Sequence, residues 1–166
     1  GVSNEGITDD EARNLRAAGR AAVATGVIVA SHTSGPMSGP HAMEELQILA
    51  AQGLPGEQFN WVHAQHADLP FHKEAVARGA YIGFDGMKPD QEERYLRLVM
   101  DALEAGLGDR ILLSHDNGWY RPGEPNGGAD KVRSFTYLVN GFLPRLAFGS
   151  RPSRGHRPGR SGQESD

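Results

Sequence analysis

The sequence predicts an α/β fold built on a parallel sheet, and three observations predict it. Short apolar runs alternate with stretches of helical periodicity, the alternation repeats four times, and each run ends directly at a polar, potentially reactive residue. Strand–helix alternation implies parallel strands joined by right-handed crossovers. The carboxyl edge of such a sheet is where functional side chains gather.

Thr8-Asp9-Asp10-Glu11 starts the first helix, with Thr8 placed to cap and Glu11 three residues later as in a capping box. Ala12, Leu15, Ala18, Ala22 and Val23 form its apolar stripe, and Gly26 ends it. Val27-Ile28-Val29-Ala30 follows, a β-branched run expected of a strand buried on both faces, with His32 just past its end. Glu44 to Ala51 is helical, Gly53 to Gly56 breaks it, and Phe59-Asn60-Trp61-Val62 leads into His63. Lys73 to Ala77 is helical, Gly79 stops it, and Ala80-Tyr81-Ile82-Gly83-Phe84 leads into Asp85. Gln91 to Ala105 is the clearest helix, with Tyr95, Leu96, Val99 and Leu103 on one face and Gly106 and Gly108 at its end. Arg110-Ile111-Leu112-Leu113-Ser114 then leads into His115 and Asp116, and a last helix is expected from about 129 to 140. The strand ends at 32, 63, 85 and 116 lie 31, 22 and 31 residues apart, spacings that suit βα units. From about Ala147 the apolar periodicity stops in an Arg/Gly/Pro/Ser stretch, so 1–146 is expected to be the domain and 147–166 a disordered basic tail.

Composition narrows the function classes. A net charge of -4 with His neutral gives no ground for a nucleic-acid or anionic-membrane partner. No stretch approaches the roughly 18 apolar residues that span a bilayer, and no signal peptide opens the chain, so a cytoplasmic address is the expectation. With no cysteine, a bound metal must use imidazole and carboxylate ligands.

His32, His63 and Asp116 supply two imidazoles and one carboxylate from three strand ends, a sufficient protein set for one catalytic metal with an open position. Singly, each His is more often structural or solvated; the shared position at strand ends reverses that for the three together. Asp85 ends its own strand, where it either orients a ligand or touches substrate, or simply caps a loop. His66 lies three residues after His63 and suits a proton carrier behind the ligands. Trp119 and Tyr120, before the Gly-rich stretch 121–128, fit either a substrate-contacting loop or a packed one. His41 reads as a cap or loop contact, His72 as a solvated helix residue, and His115 as facing away from Asp116.

At these residues the chain resembles the phosphotriesterase family of the amidohydrolase superfamily. The matching segments are Ala24 to Thr33 (ATGVIVASHT), Trp61 to Gln65 (WVHAQ), Ala77 to Asp85 (ARGAYIGFD) and Ile111 to Asp116 (ILLSHD). The resemblance covers about residues 1 to 146 and implies a partial (β/α)8 TIM barrel, four parallel βα units corresponding to strands five to eight. It further implies a binuclear centre in the complete barrel, with Zn2+ expected first and Mn2+, Co2+ or Fe2+ as alternatives. His32 and His63 would bind the more exposed metal, while Asp116 would bind the buried one and accept a proton from the bridging hydroxide. The implied reaction is hydrolysis of a lactone, carboxylic ester or phosphotriester.

The chain departs from the family pattern in three places. The strand-one His-x-His pair and the bridging carboxylated Lys are absent, the Lys falling immediately before Gly1 in this alignment. His66 stands where phosphotriesterases proper carry a relay carboxylate, and Gly86 where they carry a further relay or substrate-binding residue, which favours a lactonase-like or unassigned member. After Gly141 to Leu146 the family's Asn-Pro helix gives way to the tail. The alternative is therefore a truncated, non-catalytic half-barrel that binds at most one metal. A four-stranded half-barrel leaves two open edges and an apolar inner face, so the expected partners are a small-molecule ester or lactone and either a second copy or a missing N-terminal half-barrel. A cofactor-binding α/β domain is the weaker third reading, since no strand leads into G-x-G-x-x-G or a P-loop.

Overall fold

Local capping chemistry sets the first helix, α1 (Asp9–Thr25), in a computed structural model that describes residues 1–118, 120–132 and 135–149. The Glu11 N–H donates to the Thr8 hydroxyl at 3.3 Å and the Thr8 N–H to the Glu11 carboxylate at 2.8 Å, closing the expected capping box. Gly26 ends the helix in the left-handed region, φ 76°, with its N–H on Ala22 O. Three strand–helix units and a fourth strand follow: β1 (Val29–His32), α2 (Ser38–Ala50), β2 (Phe59–Val62), α3 (Leu69–Ala77), β3 (Tyr81–Phe84), α4 (Glu92–Glu104) and β4 (Ile111–Leu113).

The strands form one parallel sheet in the order β1-β2-β3-β4. Side chains alternate across it, so the register Ser31–Trp61–Ile82–Ile111 lies on one face and His32–Val62–Gly83–Leu112 on the other. The first face is covered by the helices. Phe59, Trp61, Ile82 and Phe84 are fully buried there against Leu46 and Leu49 of α2, Ala75 of α3, and Tyr95, Val99 and Ala102 of α4. The second face, the inside of a barrel, lies open, with Ala30, His32 and Leu112 exposed. It is less apolar than expected. Asn60 and Tyr81 share it, and Asn60 Oδ1 is buried without a hydrogen-bond partner among the described residues.

Two expectations change here. The Val27-Ile28 pair lies outside β1 and is 56% and 59% exposed: β1 is an edge of the described sheet, where the Val2 N–H bonds His32 O at 3.0 Å but no strand among the described residues flanks Val27 and Ile28. The helix expected at 129–140 is displaced. Asn126, Gly127 and Gly128 are left-handed within a 3-10 segment, Pro125–Lys131, and Val132 is extended. Helical backbone resumes as a π-turn, Leu138–Phe142, that runs into α5 (Leu143–Gly149) and is anchored by the fully buried Phe142. The tail expected from 147 thus starts within α5 for three residues, and 150–166 lies outside the described residues. Among the described residues no helix is long and apolar enough to cross a membrane.

Candidate active site

Each strand delivers its terminal residue to one rim, and each terminus is pinned from behind. At β1, His32 faces the open side while its neighbours Ser31 and Thr33 turn toward the helices. Both hydroxyls donate to the carboxylate of the fully buried Glu45 on α2, Thr33 at 2.6 Å. Burial pushes the Glu45 carboxyl above its usual range, with the two hydroxyl donors opposing. Ser38 donates to Thr33 O at 2.6 Å and the Trp61 indole N–H to Ser38 Oγ at 3.1 Å, which carries the same bracing into β2.

At β2 the chain turns at His63 with φ 65°, and at the end of β4 it turns at Asp116 with φ 46°. A left-handed backbone is uncommon outside glycine, though His and Asp adopt it more readily than most residues, and here neighbouring groups hold both turns. Asp85 supplies much of that hold. Its Oδ2 accepts the His63 N–H at 2.9 Å and its Oδ1 accepts the Ser114 hydroxyl at 2.7 Å. Ser114 Oγ in turn accepts the Asp116 N–H at 3.2 Å. The Asp85 N–H donates to Gln65 Oε1 at 3.1 Å, and the Tyr95 hydroxyl donates to Asp85 O. Asp85 is therefore buried and fully engaged, an orienting group for the strand ends.

The rings of His32 and His63 meet edge to face, centroids 4.5 Å apart. His63 Nε2 lies 4.0 Å from Asp116 Oδ2, and His63 Nδ1 lies 3.7 Å from Asp85 Oδ2. These groups open on a cleft of about 340 Å³ lined also by His66 and Arg94. His66 sits with its ring centroid 6.3 Å from that of His63, and burial, followed by the Arg94 charge and the two other imidazoles, lowers its pKa. The structure thus brings His32, His63, His66, Asp85 and Asp116 to one cleft, while Trp119 lies outside the described residues and Tyr120 is 77% exposed.

The donor types suit a divalent transition metal, but they are paired rather than gathered. Among the described residues no three His, Asp or Glu side chains close around a single ion. The residues fit a divalent metal in kind.

Two further histidines are structural. His72, expected in solvent, is 1% exposed, because α3 turns it onto the sheet between Trp61 and Phe84. Its Nε2 lies 2.8 Å from Ala64 O, which can only accept, so that nitrogen carries the proton. Burial lowers its pKa. His115 accepts the Leu138 N–H at Nε2, 2.8 Å, tying the strand end to the C-terminal turn. The roles of Glu45, Gln65, Arg94, Tyr95 and Ser114 at the site have no place in the sequence pattern, where Tyr95 reads only as part of a helix's apolar face. Only Glu45 left a signal, a charge at a buried position between Ala42 and Leu49 on the apolar side of α2.

Residues 1–150 match the model of the phosphotriesterase family. No curated protein sequence matches the chain. Among solved structures, a triple variant of the organophosphorus hydrolase from Deinococcus radiodurans is 29% identical, with a TM-score of 0.73 over 90% of this chain and 48% of that one. A protein engineered for organophosphate hydrolysis from a weak promiscuous lactonase template is 27% identical, TM-score 0.72, over 89% and 49%. The phosphotriesterase homology protein from Escherichia coli, complexed with phosphate in its active site, is 24% identical, TM-score 0.73, over 90% and 50%, a likeness of fold. The chain spans about half the length of each, and its four parallel strands are half of an eight-stranded barrel.

Proposed function

The chain belongs to the phosphotriesterase family, and from that premise we propose that it is the C-terminal half of a metal-dependent hydrolase acting on ester-type bonds. Lactones and carboxylic esters come ahead of phosphotriesters, because His66 and Gly86 replace the relay of the phosphotriesterases proper. The observation that carries this reading is the meeting of His32, His63 and Asp116 in one cleft, braced through Asp85.

His32 and His63 would hold one divalent ion, zinc first among Zn2+, Mn2+, Co2+ and Fe2+, and Asp116 would contribute to a second. When bound, such an ion polarises the substrate oxygen and acidifies water. The chain's own residues do the rest. The Asp116 carboxylate, with its side chain 32% exposed to the cleft, takes the proton of the attacking water. Asp85 holds the His63 backbone in its left-handed turn and so aims the imidazole. His66, kept neutral to lower pH by burial, is a proton acceptor at the cleft wall. The missing ligands belong to whatever pairs with the open edges of β1 and β4, a second copy or an N-terminal half-barrel.

A non-catalytic half-barrel is the second reading, and the absence of a three-donor cluster among the described residues favours it. Metal content and turnover separate the two. The hydrolase reading expects bound zinc that is lost with His32→Asn, and lactone hydrolysis falling at least about a hundredfold with Asp116→Asn. Zinc without turnover on lactones, esters and phosphotriesters supports the half-barrel remnant. No metal under any loading condition defeats the site itself.

A further inference from the structure

The cleft carries a charge that hydrolysis does not use. Arg94 stands on the first turn of α4 and lines the same cleft as His32, His63 and Asp116. One guanidinium nitrogen donates to Gln65 O at 3.1 Å, and the group leans over the Tyr95 ring at 5.7 Å. Arginine has five N–H donors, so this tether orients the fork without exhausting it. The acids of the adjoining turns have other partners. Asp90 pairs with Lys88 at 3.1 Å, and Glu92 and Glu93 both take Arg145, at 2.9 and 2.7 Å. Asp85 accepts from Ser114 and the His63 N–H. Among the described residues no acid pairs with Arg94.

We infer that Arg94 recognises an anionic oxygen group on the substrate, a carboxylate or phosphoryl group carried away from the bond that is cut. The inference rests on the hydrolase reading of the cleft and names its substrate class: an anionic ester or lactone in preference to a neutral one. The planar fork matches both groups in a two-bond grip that a neutral ester cannot complete. Anchorage to Gln65, two residues past His63, ties that grip to the strand end that presents the ligands.

The test uses the full 166-residue chain without metal, titrated with glutarate, inorganic phosphate and neutral γ-butyrolactone and read by calorimetry or amide NMR. The two anions bind, and Arg94→Gln weakens them about tenfold or more. Arg97→Gln, an exposed charge on the same helix, leaves anion binding unchanged. Arg94→Lys recovers part of the affinity, and γ-butyrolactone distinguishes none of the variants. Tighter binding of glutarate assigns a carboxylate, tighter binding of phosphate a phosphoryl group. No anion binding to the unaltered chain, equal affinity in Arg94→Gln, or equal losses at Arg94 and Arg97 would overturn the assignment. A chain that takes up no zinc yet binds anions through Arg94 defeats the hydrolase reading and leaves the anion site standing.

Discussion

The two faces of the sheet share four strands and one backbone, yet they meet opposite fates. On the helix side Phe59, Trp61, Ile82 and Phe84 are fully buried, while on the barrel side Ala30, His32 and Leu112 are exposed. The chain completes the first face with its own helices. The contrast shows where the rim gets its order. His32 and His63 are positioned by polar contacts on the buried side and among the strand ends, through Glu45 and Asp85, without a packed barrel interior beneath them.

The strongest way to break this comparison is to truncate one residue on each face. Trp61→Ala should cost about 3–5 kcal/mol in denaturant unfolding, and Leu112→Ala, 43% exposed, within about 0.5 kcal/mol. A large loss at Leu112 would show that the open face is covered in solution, as closure by a second copy requires. Next in size is Glu45. Glu45→Ala leaves the buried hydroxyls of Ser31 and Thr33 without their acceptor and should cost about 2–4 kcal/mol, whereas Glu45→Gln keeps most of the bonding. The sign of the pH effect follows from burial. The folded carboxyl titrates above the ordinary glutamate value of about 4.3, so its contribution is complete below that value and is lost as pH rises through the raised pKa. Glu45→Gln should flatten that limb of a stability–pH curve; an unchanged curve would show that Glu45 is not its source.

The smallest effect belongs to Glu11, at the far end of the polar bracing. The Ser3 hydroxyl and the Thr8 N–H hold this exposed carboxylate down to about 2. Its contribution is present above the ordinary glutamate value and fades as pH falls through about 2. Glu11→Gln should lower the melting temperature slightly at neutral pH, where that contribution is complete, and leave stability unchanged below about pH 2; an equal loss at both ends of the pH range would show that the carboxylate charge is not its source.

The strands and their terminal residues were legible because a buried parallel strand and the polar residue that ends it are adjacent in the chain. What failed depended on partners far away in sequence. Val27 and Ile28 have the composition of a buried strand, yet they are exposed and no strand among the described residues flanks them. His72 looks like any polar helix residue until α3 is laid on Trp61 and Phe84. The helix expected at 129–140 starts later, because Val132 is extended inside that span and the π-turn begins only at Leu138. At the site, His32, His63 and Asp116 were marked by position alone. Arg94 looked like the solvent side of a helix, and the left-handed backbone of His63 and Asp116 has no signature in non-glycine residues.

Asp85 has a consequence for how the rim comes apart. One residue bonds the end of β2 through His63, the end of β4 through Ser114, the following turn through Gln65 and α4 through Tyr95. Loops that hang separately on strand ends fray one at a time. These cannot, because releasing any one of them strips a partner from a buried carboxylate or its backbone and destabilises the others. The mouth should therefore open as a single cooperative unit, shut or lost together, with an opening free energy nearer to that of the core than to that of an ordinary loop.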